Sequence, residues 1–179
     1  MTTGRIRKIP AHNAGYWIRT LGLKSHPEGG FYKETYRSGE IVSRSALPRR
    51  FKGSRTFCTA IYFLLTNKQV SKFHRIQSDE LWHFYSGDPL RIHFLFPNGD
   101  YAFQDLGCSA QGVSFQAVVP AGVWFGAELH SGSRYSLLGC TVSPGFDFKD
   151  FALGDRESLL QKYPDHKALI LRLTEETSS

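Results

Sequence analysis

The sequence predicts an all-β domain with short helices at both ends, and three observations carry that prediction. Short runs rich in β-branched and aromatic residues recur along the 179-residue chain, separated by turn residues. Pro-Asn-Gly-Asp at 97–100 stands between two apolar runs, a pattern typical of a β-hairpin. An aromatic fraction of 14% suits the wide interior of a barrel better than a helical bundle. Strands at this spacing favour a sandwich or barrel over alternating strands and helices.

Helices are predicted only near the two ends. Asn13 is a good N-cap and Gly22 a good residue beyond a last turn, so a short helix is expected over 14–21. Near the other end, Asp155 can cap a helix that Pro164 ends. The helical segments predicted there are 158–163 and 166–174.

The strands are predicted from alternating runs between turns. In a strand over 31–37, Tyr32, Glu34 and Tyr36 share one face, because successive side chains of a strand point to opposite sides. The other predicted strands are 56–66, 71–76, 80–87, 90–96, 101–106, 115–120, 123–129 and 135–143. The sequence contains no internal repeat and no interdomain linker. We therefore expect a flexible tail over 1–10, followed by a single domain over 11–176.

The distribution of charge argues against a nucleic-acid partner. The net charge is +6, and five cations without an acid lie in the loop 44–55, so the rest of the chain has one excess positive charge. These cations are Arg44, Arg49, Arg50, Lys52 and Arg55. With little apolar area to dock it, the loop is expected to be a mobile, solvated surface or a lid that binds phosphate through Arg49 and Arg50. No motif typical of nucleic-acid binding accompanies these cations.

The sequence also predicts that the protein has no membrane partner. No apolar run approaches the roughly 20 residues that span a bilayer, and the basic N-terminus lacks the apolar stretch of a secretory signal. Three cysteines without metal-binding spacing indicate free thiols in a reducing compartment. We therefore expect a cytoplasmic protein.

The residues that could form a functional site lie in the segment from His74 to Gly87. His74 is expected on one strand of a hairpin, and Glu80, Trp82 and Phe84 on one face of the next strand. An imidazole and a carboxylate on adjacent strands can share a metal ion, a proton or a ligand hydroxyl. The segment therefore predicts that His74, Glu80 and Trp82 line one internal pocket.

The sequence resembles the cupin superfamily over roughly residues 14–174. The resemblance rests on the segments HPEGGFYKETYRS, SKFHRIQSDELWHFYSG, VVPAGVWFGAEL and GCTVSPGFDFKDF, which are similar to one small cupin family of bacteria and eukaryotes. It implies a compact jelly-roll β-barrel, the double-stranded β-helix, with peripheral helices. It also implies homodimerisation and structural similarity to nucleotide-sugar epimerases and sugar-phosphate isomerases.

The chain departs from the cupin pattern at the metal site. The superfamily motifs supply three histidines and one glutamate, but here Ile76 and Phe125 stand at two of the histidine positions. Only His74 and Glu80 remain, and two protein ligands rarely hold zinc, iron or manganese tightly. We expect no bound metal and no other cofactor, a residual metal site at His74 and Glu80 being the alternative.

Three functions remain open for this pocket. In a metal-free isomerase or epimerase, His74 abstracts a proton beside a carbonyl, and Glu80 orients the imidazole or acts as the acid. In a non-catalytic binding protein, the pocket holds a sugar or nucleotide by stacking and a few polar contacts. Under the third interpretation, His74 and Glu80 have a structural role only, as a buried pair inherited from a metal-binding ancestor.

The expected ligand is a small molecule similar to a sugar or nucleotide-sugar. The residues expected to contact it are Glu34, Tyr36, Trp82, Phe84, Gln116, Trp124, Arg49 and Arg50. The turn from His26 to Gly30 is expected to be architectural, because its two glycines permit positive φ or close backbone approach. His26 and Glu28 are candidates for the rim of the pocket.

Overall fold

The computed structural model describes residues 12–108 and 113–175 as two six-stranded β-sheets with helices at both ends. The tail expected over 1–10 lies outside the described residues, as does residue 176 at the expected end of the domain. The all-β prediction with short terminal helices is confirmed.

The elements are numbered in chain order. The helices are α1 (Ala14–Leu21), α2 (Arg156–Lys162) and α3 (Lys167–Arg172). The strands are β1 (Lys24–Ser25), β2 (Phe31–Arg37), β3 (Ile41–Val42), β4 (Arg55–Thr56), β5 (Thr59–Thr66), β6 (Ser71–Arg75), β7 (Asp79–Gly87), β8 (Leu90–Leu95), β9 (Tyr101–Leu106), β10 (Val113–Ser114), β11 (Gln116–Val119), β12 (Trp124–Leu129), β13 (Tyr135–Ser143) and β14 (Ala152–Leu153). Single 3-10 turns lie at Arg44–Ala46, Phe148–Asp150 and Pro164–His166.

The strands form two main sheets, and the chain crosses between the two sheets several times. The first sheet has the order β1-β2-β5-β13-β7-β11 and the second β10-β9-β8-β12-β6-β14, while β3 and β4 pair separately. The strand β6 therefore belongs to the second sheet, whereas β7, which follows it, belongs to the first. The expectation that His74 and Glu80 lie on adjacent strands of a hairpin is wrong, because the chain crosses from one sheet to the other between them.

The main core lies between the two sheets and follows the alternation of each strand. In β7, Glu80 and Trp82 are buried while Leu81 between them is exposed. In β12, Phe125 is fully buried and pairs with His74 of β6. The largest apolar cluster accordingly contains buried residues from both sheets, among them Phe63, Trp82, Ile92, Phe125 and Leu138.

The terminal helices cover the outer faces of the sheets. The Asn13 side chain accepts a 2.9 Å hydrogen bond from the Tyr16 N–H, and Gly22 ends α1 with a φ of 65°, as the sequence predicts. Trp17 of this helix packs on the first sheet. At the other end, α2 and α3 pack on the second sheet, where their buried residues meet Phe73 and Leu95.

The basic loop 44–55 is anchored to the body of the protein. Phe51 is fully buried and Leu47 nearly so. Arg55, 5% exposed, donates two hydrogen bonds of 2.6 and 2.5 Å to the Asp150 carboxylate. The expectation that the loop lacks apolar area to dock it is wrong, because the periodicity of so short a segment does not reveal which side chains turn inward. Within the described ranges, no helix has the length and apolar character needed to cross a bilayer.

Candidate functional site

An internal cavity of about 560 Å³ contains the predicted residues His74, Glu80 and Trp82. It is bounded by β2, β5, β7 and β13 of the first sheet, by the end of β6, and by the segment 146–151. Its polar lining consists of His26, Glu28, Glu34, Arg37, Thr59, His74, Glu80, Cys140 and Asp147. Its aromatic lining consists of Tyr32, Phe63, Trp82, Phe146, Phe148 and Phe151.

Glu28 is the centre of the polar wall. Its side chain enters the interior from the turn before β2, where Gly29 and Gly30 have φ angles of 111° and 71°. A Cβ atom on Gly29 would lie 2.1 Å from the Val70 carbonyl oxygen, so this close approach of two backbones requires glycine. The turn thereby buries the Glu28 side chain against β6.

Three side chains contact the Glu28 carboxylate. The Ser71 hydroxyl donates to Oε1 at 2.8 Å, and His74 Nε2 lies 3.1 Å from Oε2. His26 Nδ1 lies 3.3 Å from the same oxygen. The expected partner of His74 was Glu80, and that expectation is wrong: the carboxylate beside the imidazole belongs to Glu28.

The contacts of the His74 ring define what this pair can do. Its Nδ1 lies 2.7 Å from the Lys72 carbonyl oxygen, which can only accept, so Nδ1 carries a hydrogen. Nε2 and Glu28 Oε2 can then form a hydrogen bond only when one proton lies between them. Burial lowers the pKa of His74, an effect that the Glu28 carboxylate opposes. Burial alone would raise the pKa of Glu28, but His74, His26 and Ser71 together hold it below its usual value.

Glu80 has the opposite electrostatic environment. Burial, and then the nearby Glu28 charge, raise the pKa of Glu80 to about 8, although Cys140 and Trp82 favour its ionised form. Glu80 is therefore mostly a neutral carboxylic acid at pH 7. Burial and Glu80 also raise the pKa of the Cys140 thiol well above its usual value. The Trp82 Nε1–H is near the Glu80 carboxyl group, yet it is buried without a hydrogen bond of normal geometry.

The mouth of the cavity carries an ion pair and a β-bulge. Arg37 donates hydrogen bonds of 2.9 and 2.6 Å to the Glu34 carboxylate and one of 3.1 Å to the Phe146 carbonyl. The register of β2 on β5 shifts between Glu34 and Tyr36, which reverses the alternation. Arg37 consequently lines the cavity, whereas Tyr36 is 55% exposed and does not. Tyr36 was expected on the same face as Glu34, and that expectation is wrong because the bulge turns Tyr36 outward.

The other predicted contact residues lie away from the cavity lining. Phe84 packs against the apolar core. Gln116 is exposed on the outer face of the first sheet, 3.0 Å from His83, because Ala117 and Val119 point inward. Trp124 packs beneath the C-terminal helices, because its neighbour Phe125 takes the inward position. Gln116 and Trp124 differ from expectation because alternation fixes two faces without stating which one meets the cavity, whereas Phe84 is on the inner side but outside the cavity lining.

Arg49 and Arg50 are exposed and do not line the cavity. The Arg50 Nε–H donates to the Gln77 carbonyl at 2.7 Å. The expectation that both arginines contact a ligand in the cavity finds no support in their placement.

A second concavity, of about 780 Å³, lies outside the core between β8, β12 and α3. Both of its arginines are bound by carboxylates. Arg172 binds Glu128 at 2.8 and 2.9 Å, and Arg91 binds Asp105 at the same two distances. The internal cavity is the better candidate site, because its buried groups have perturbed ionisation and face one enclosed space.

Comparison with known proteins agrees with this architecture. Residues 15–154 match the family described as Cupin superfamily (DUF985). This chain belongs to the cupin superfamily. The cupin is also 30% identical to an uncharacterized protein of Saccharomyces cerevisiae over 152 residues, which cover 78% of the chain and 75% of the relative.

Solved structures give the same result for the fold. A protein of Shewanella oneidensis has a TM-score of 0.83 at 40% identity, covering 93% of this chain and 99% of its own. A hypothetical protein of Leishmania major has a TM-score of 0.83 at 35% identity, covering 92% and 100%. Oxalate decarboxylase of Lactobacillus farciminis has a TM-score of 0.51 at 13% identity, covering 87% and 42%. This last similarity concerns the fold alone, and the jelly-roll prediction is confirmed.

The residues of this cupin do not fit the metal of the superfamily. Ile76 and Phe125, both buried, stand at two ligand positions, and the Phe125 ring centre is 3.9 Å from that of His74. His74 directs Nε2 at Glu28 instead of an open coordination position. Within the described residues, no group of three or more His, Cys, Asp or Glu side chains is arranged to hold a metal ion.

Sequence reasoning underrated three residues of this site. His26 and Glu28 were expected at most at the rim, whereas their side chains are only 7% and 8% exposed. Regular alternation along 31–37 would place Arg37 on the face opposite Glu34. The signal for Glu28 was present in the sequence, since an acidic residue directly before two glycines can be carried inward by a tight turn. The signal for Arg37 was absent, because a bulge is a property of the strand pairing.

Proposed function

We propose that this cupin binds a small hydroxylated carbonyl compound, similar to a carbohydrate, and moves a proton on the carbon beside the carbonyl. Such a reaction is an isomerisation or an epimerisation. The observation that carries the proposal is the pair of buried carboxyl groups with opposite pKa shifts, Glu28 lowered and Glu80 raised to about 8. Two carboxyl groups held in opposite protonation states at one site are the usual arrangement of an acid and a base.

The roles follow from the contacts. The ionised Glu28 carboxylate accepts the proton from the C–H bond and then shares it with His74 Nε2, while the His74 Nδ1–H stays on the Lys72 carbonyl oxygen. Glu80 donates its proton to the carbonyl oxygen, so that an enediol forms. If the proton returns to the former carbonyl carbon, and the hydroxyl group on the carbon that lost its hydrogen gives its proton to Glu80, the isomer forms. If the proton returns to the other face of the carbon that lost it, and the former carbonyl oxygen gives its proton back to Glu80, the epimer forms. This assignment changes the expected role of His74 from the base itself to one half of the base.

The aromatic walls suit the same ligand class. The C–H faces of a sugar pack on aromatic rings, while the hydroxyl groups bind carboxylates. Trp82 and Phe63 lie with ring centres 5.6 Å apart on one wall, and His26 and Tyr32 lie 4.6 Å apart near Glu28. The cavity therefore offers both apolar and acidic surface to one small molecule.

The test is hydrogen exchange from solvent. Ketoses and aldoses are incubated with the protein in D2O, and loss of the C–H signal beside the carbonyl is followed by NMR. We expect exchange that falls by about 10²–10⁴-fold in Glu28→Gln, with the exposed Glu40→Gln as the matched control. Binding of a sugar without any exchange would contradict the catalytic part and leave a non-catalytic binding protein.

We further propose that two copies of the chain associate through the outer face of the first sheet. Val118 of the edge strand β11 pairs with Leu81 of β7, and both are exposed, at 54% and 37%. Tyr85 and Phe115 nearby are also exposed. Light scattering is expected to give a dimer that Val118→Glu dissociates and Leu171→Glu, on α3, leaves intact. A wild-type monomer at micromolar concentration would contradict this contact.

A cytoplasmic location is part of the proposal. It is supported by the three free cysteines Cys58, Cys108 and Cys140, which suit a reducing compartment. Fractionation of the source cells tests it, and recovery in an oxidising compartment would contradict it.

A further inference from the structure

Two histidines contact the Glu28 carboxylate, and they differ in what they leave for a ligand. His74 has both ring nitrogens engaged, Nε2 with Glu28 and Nδ1 with the Lys72 carbonyl oxygen. His26 uses Nδ1 alone, which lies 3.3 Å from Glu28 Oε2 and accepts a 3.3 Å hydrogen bond from the Glu28 backbone N–H. A ring nitrogen that accepts from an N–H carries no hydrogen, so the neutral His26 ring has its hydrogen on Nε2. The protonated ring has one there as well, and Nε2 is therefore a donor in both forms.

The Nε2–H of His26 is open to the cavity. His26 is a lining residue, and its Nε2 forms no hydrogen bond within the residues that the structure describes. The side-chain polar atoms of those residues that are both enclosed and without a partner are Thr56 Oγ1, Trp82 Nε1, His93 Nε2 and Ser136 Oγ. Since His26 Nε2 is not among them, a ligand atom in the cavity can reach it.

Aromatic rings hold the orientation of this donor. The Tyr32 ring meets the His26 ring edge-on with centres 4.6 Å apart, and Phe151 does so at 6.0 Å. Phe148 stacks beside the same ring at 6.1 Å. A donor that is fixed before binding loses little conformational entropy when the ligand arrives, so its hydrogen bond adds more to the affinity.

We propose that the His26 Nε2–H binds the hydroxyl oxygen on the reacting carbon, and that the ligand is consequently a carbonyl compound with a hydroxyl group on the neighbouring carbon. This inference rests on the proposed function, because it assigns a specificity-determining residue to the same cavity and narrows its substrate class. The place of the contact follows from Glu28. The carbon that gives its hydrogen to Glu28 must touch this carboxylate, and the His26 ring touches it too, so a substituent of that carbon is within reach of Nε2.

A donor at this place fits a hydroxyl group and rejects its absence. The hydroxyl oxygen accepts through a lone pair, so its own hydrogen stays available for the proton transfer that forms the isomer. A deoxy ligand would leave the His26 N–H against an apolar atom, without the hydrogen bond that the N–H makes to water in the empty cavity. A site built around such a donor discriminates strongly against the analogue that lacks the hydroxyl group.

Paired deletions on the ligand and on the protein test the contact. Ligand-observed NMR gives the affinities of xylulose, fructose and their 1-deoxy and 3-deoxy analogues, each of which lacks the hydroxyl group on one of the two carbons beside the carbonyl. In wild type, one of the two deletions should weaken binding about tenfold or more. In His26→Phe, which has no donor, the parent ketoses should bind about tenfold more weakly. The same deletion should then change the affinity less than about twofold, because the hydroxyl group has already lost its partner.

Two further variants separate the contact from a structural effect. His26→Gln places an amide N–H near the position of Nε2 and should restore most of the affinity together with its dependence on the hydroxyl group. His130→Phe, at a histidine of the second concavity, is the matched control and should bind as wild type does. Deletion effects that are equal in wild type and in a folded His26→Phe would overturn the proposal, and so would the absence of binding by both parent ketoses.

The ligand-free wild type offers a test that requires no variant to fold. Proton–nitrogen correlation spectra of protein with isotope-labelled histidines show which ring nitrogens carry a hydrogen. We expect a hydrogen on His26 Nε2, and a change in the resonance of this nitrogen when the ketose binds. A His26 ring whose Nε2 carries no hydrogen would overturn the proposal, because the donor would then be absent.

The outcomes separate this inference from the proposed function. Ketose binding with the expected coupling between His26 and the hydroxyl group, but without hydrogen exchange, upholds the contact and contradicts catalysis. Hydrogen exchange in wild type without that coupling contradicts the contact and upholds catalysis on a ligand that is held in another way.

Discussion

Replacing Glu80 with glutamine is expected to stabilise the protein, and increasingly so as the pH rises. In the unfolded chain the carboxyl group ionises freely near its usual pKa of 4.5, whereas in the folded protein its pKa is about 8. Between these two values the unfolded state binds fewer protons than the folded state. The free energy of unfolding of the wild type therefore falls as the pH rises through this window, and glutamine removes that loss.

The magnitude follows from the two pKa values. A tenfold change in proton affinity corresponds to about 1.4 kcal/mol, so a pKa that rises from 4.5 to about 8 implies a loss of about 5 kcal/mol above pH 8. At pH 7 the same calculation implies about 3 kcal/mol, and below pH 4.5 nothing. Glu80 is only 7% exposed, so solvent screens this effect little. The glutamine amide fits the same space and can contact Trp82 and Cys140.

The assay is urea unfolding of wild type and Glu80→Gln between pH 5 and pH 9, followed by circular dichroism. The difference between the two unfolding free energies reports Glu80 together with its interactions with Glu28 and Cys140, because the groups away from the cavity titrate equally in both proteins. It should grow with pH and reach a plateau above pH 8. The exposed Glu40→Gln is the control and should show a constant difference near zero. Parallel curves for wild type and Glu80→Gln would refute the reasoning, since they would mean that Glu80 ionises normally in the fold.

Three further predictions concern the fold and the metal. Asp150→Ala should lower the free energy of unfolding by about 3–5 kcal/mol, because it leaves Arg55 buried without its carboxylate. The control Arg49→Ala, at an exposed residue, should change it by less than about 0.5 kcal/mol. Equal effects of the two substitutions in urea unfolding would contradict the buried pair. Gly29→Ala should destabilise the protein by more than about 1 kcal/mol, because its Cβ would meet a carbonyl oxygen at 2.1 Å, while Gly39→Ala meets nothing within 4 Å and is the control. Elemental analysis after purification without chelators should find far less than one transition metal ion per chain, and a stoichiometric metal would show that another donor completes the site.

Much of the fold could be predicted because its signals are local. The helix over 14–21 has its cap residues beside it in the chain, and the predicted strand 135–143 has the bounds observed for β13. The predicted strands 31–37 and 101–106 also have the bounds of β2 and β9, and most of the others differ by one residue at an end. The predicted strand 56–66 is divided at 57–58 into β4 and β5. The jelly roll itself followed from the resemblance to the cupins.

The candidate site was less predictable, because it depends on pairing across the core. His74, Glu80 and Trp82 were placed correctly in one cavity, since His74 and Glu80 match a family motif and Trp82 shares one face of β7 with Glu80. The partner of His74 was not, because Glu28 reaches it from a turn 46 positions away in the chain. Nothing in the local pattern of either segment states that they meet.

The sequence by itself determined which segments are strands and helices, the superfamily, and the loss of two metal-ligand positions at Ile76 and Phe125. These features follow from periodicity, capping and motif spacing, which are read along the chain. The tertiary structure decided which carboxylate contacts His74, which face of β2 reaches the cavity after its bulge, and that Glu80 keeps its proton. Each of these depends on distance and burial between segments far apart in sequence, because an ionisation state and a contact are properties of the surroundings of a side chain and not of its identity.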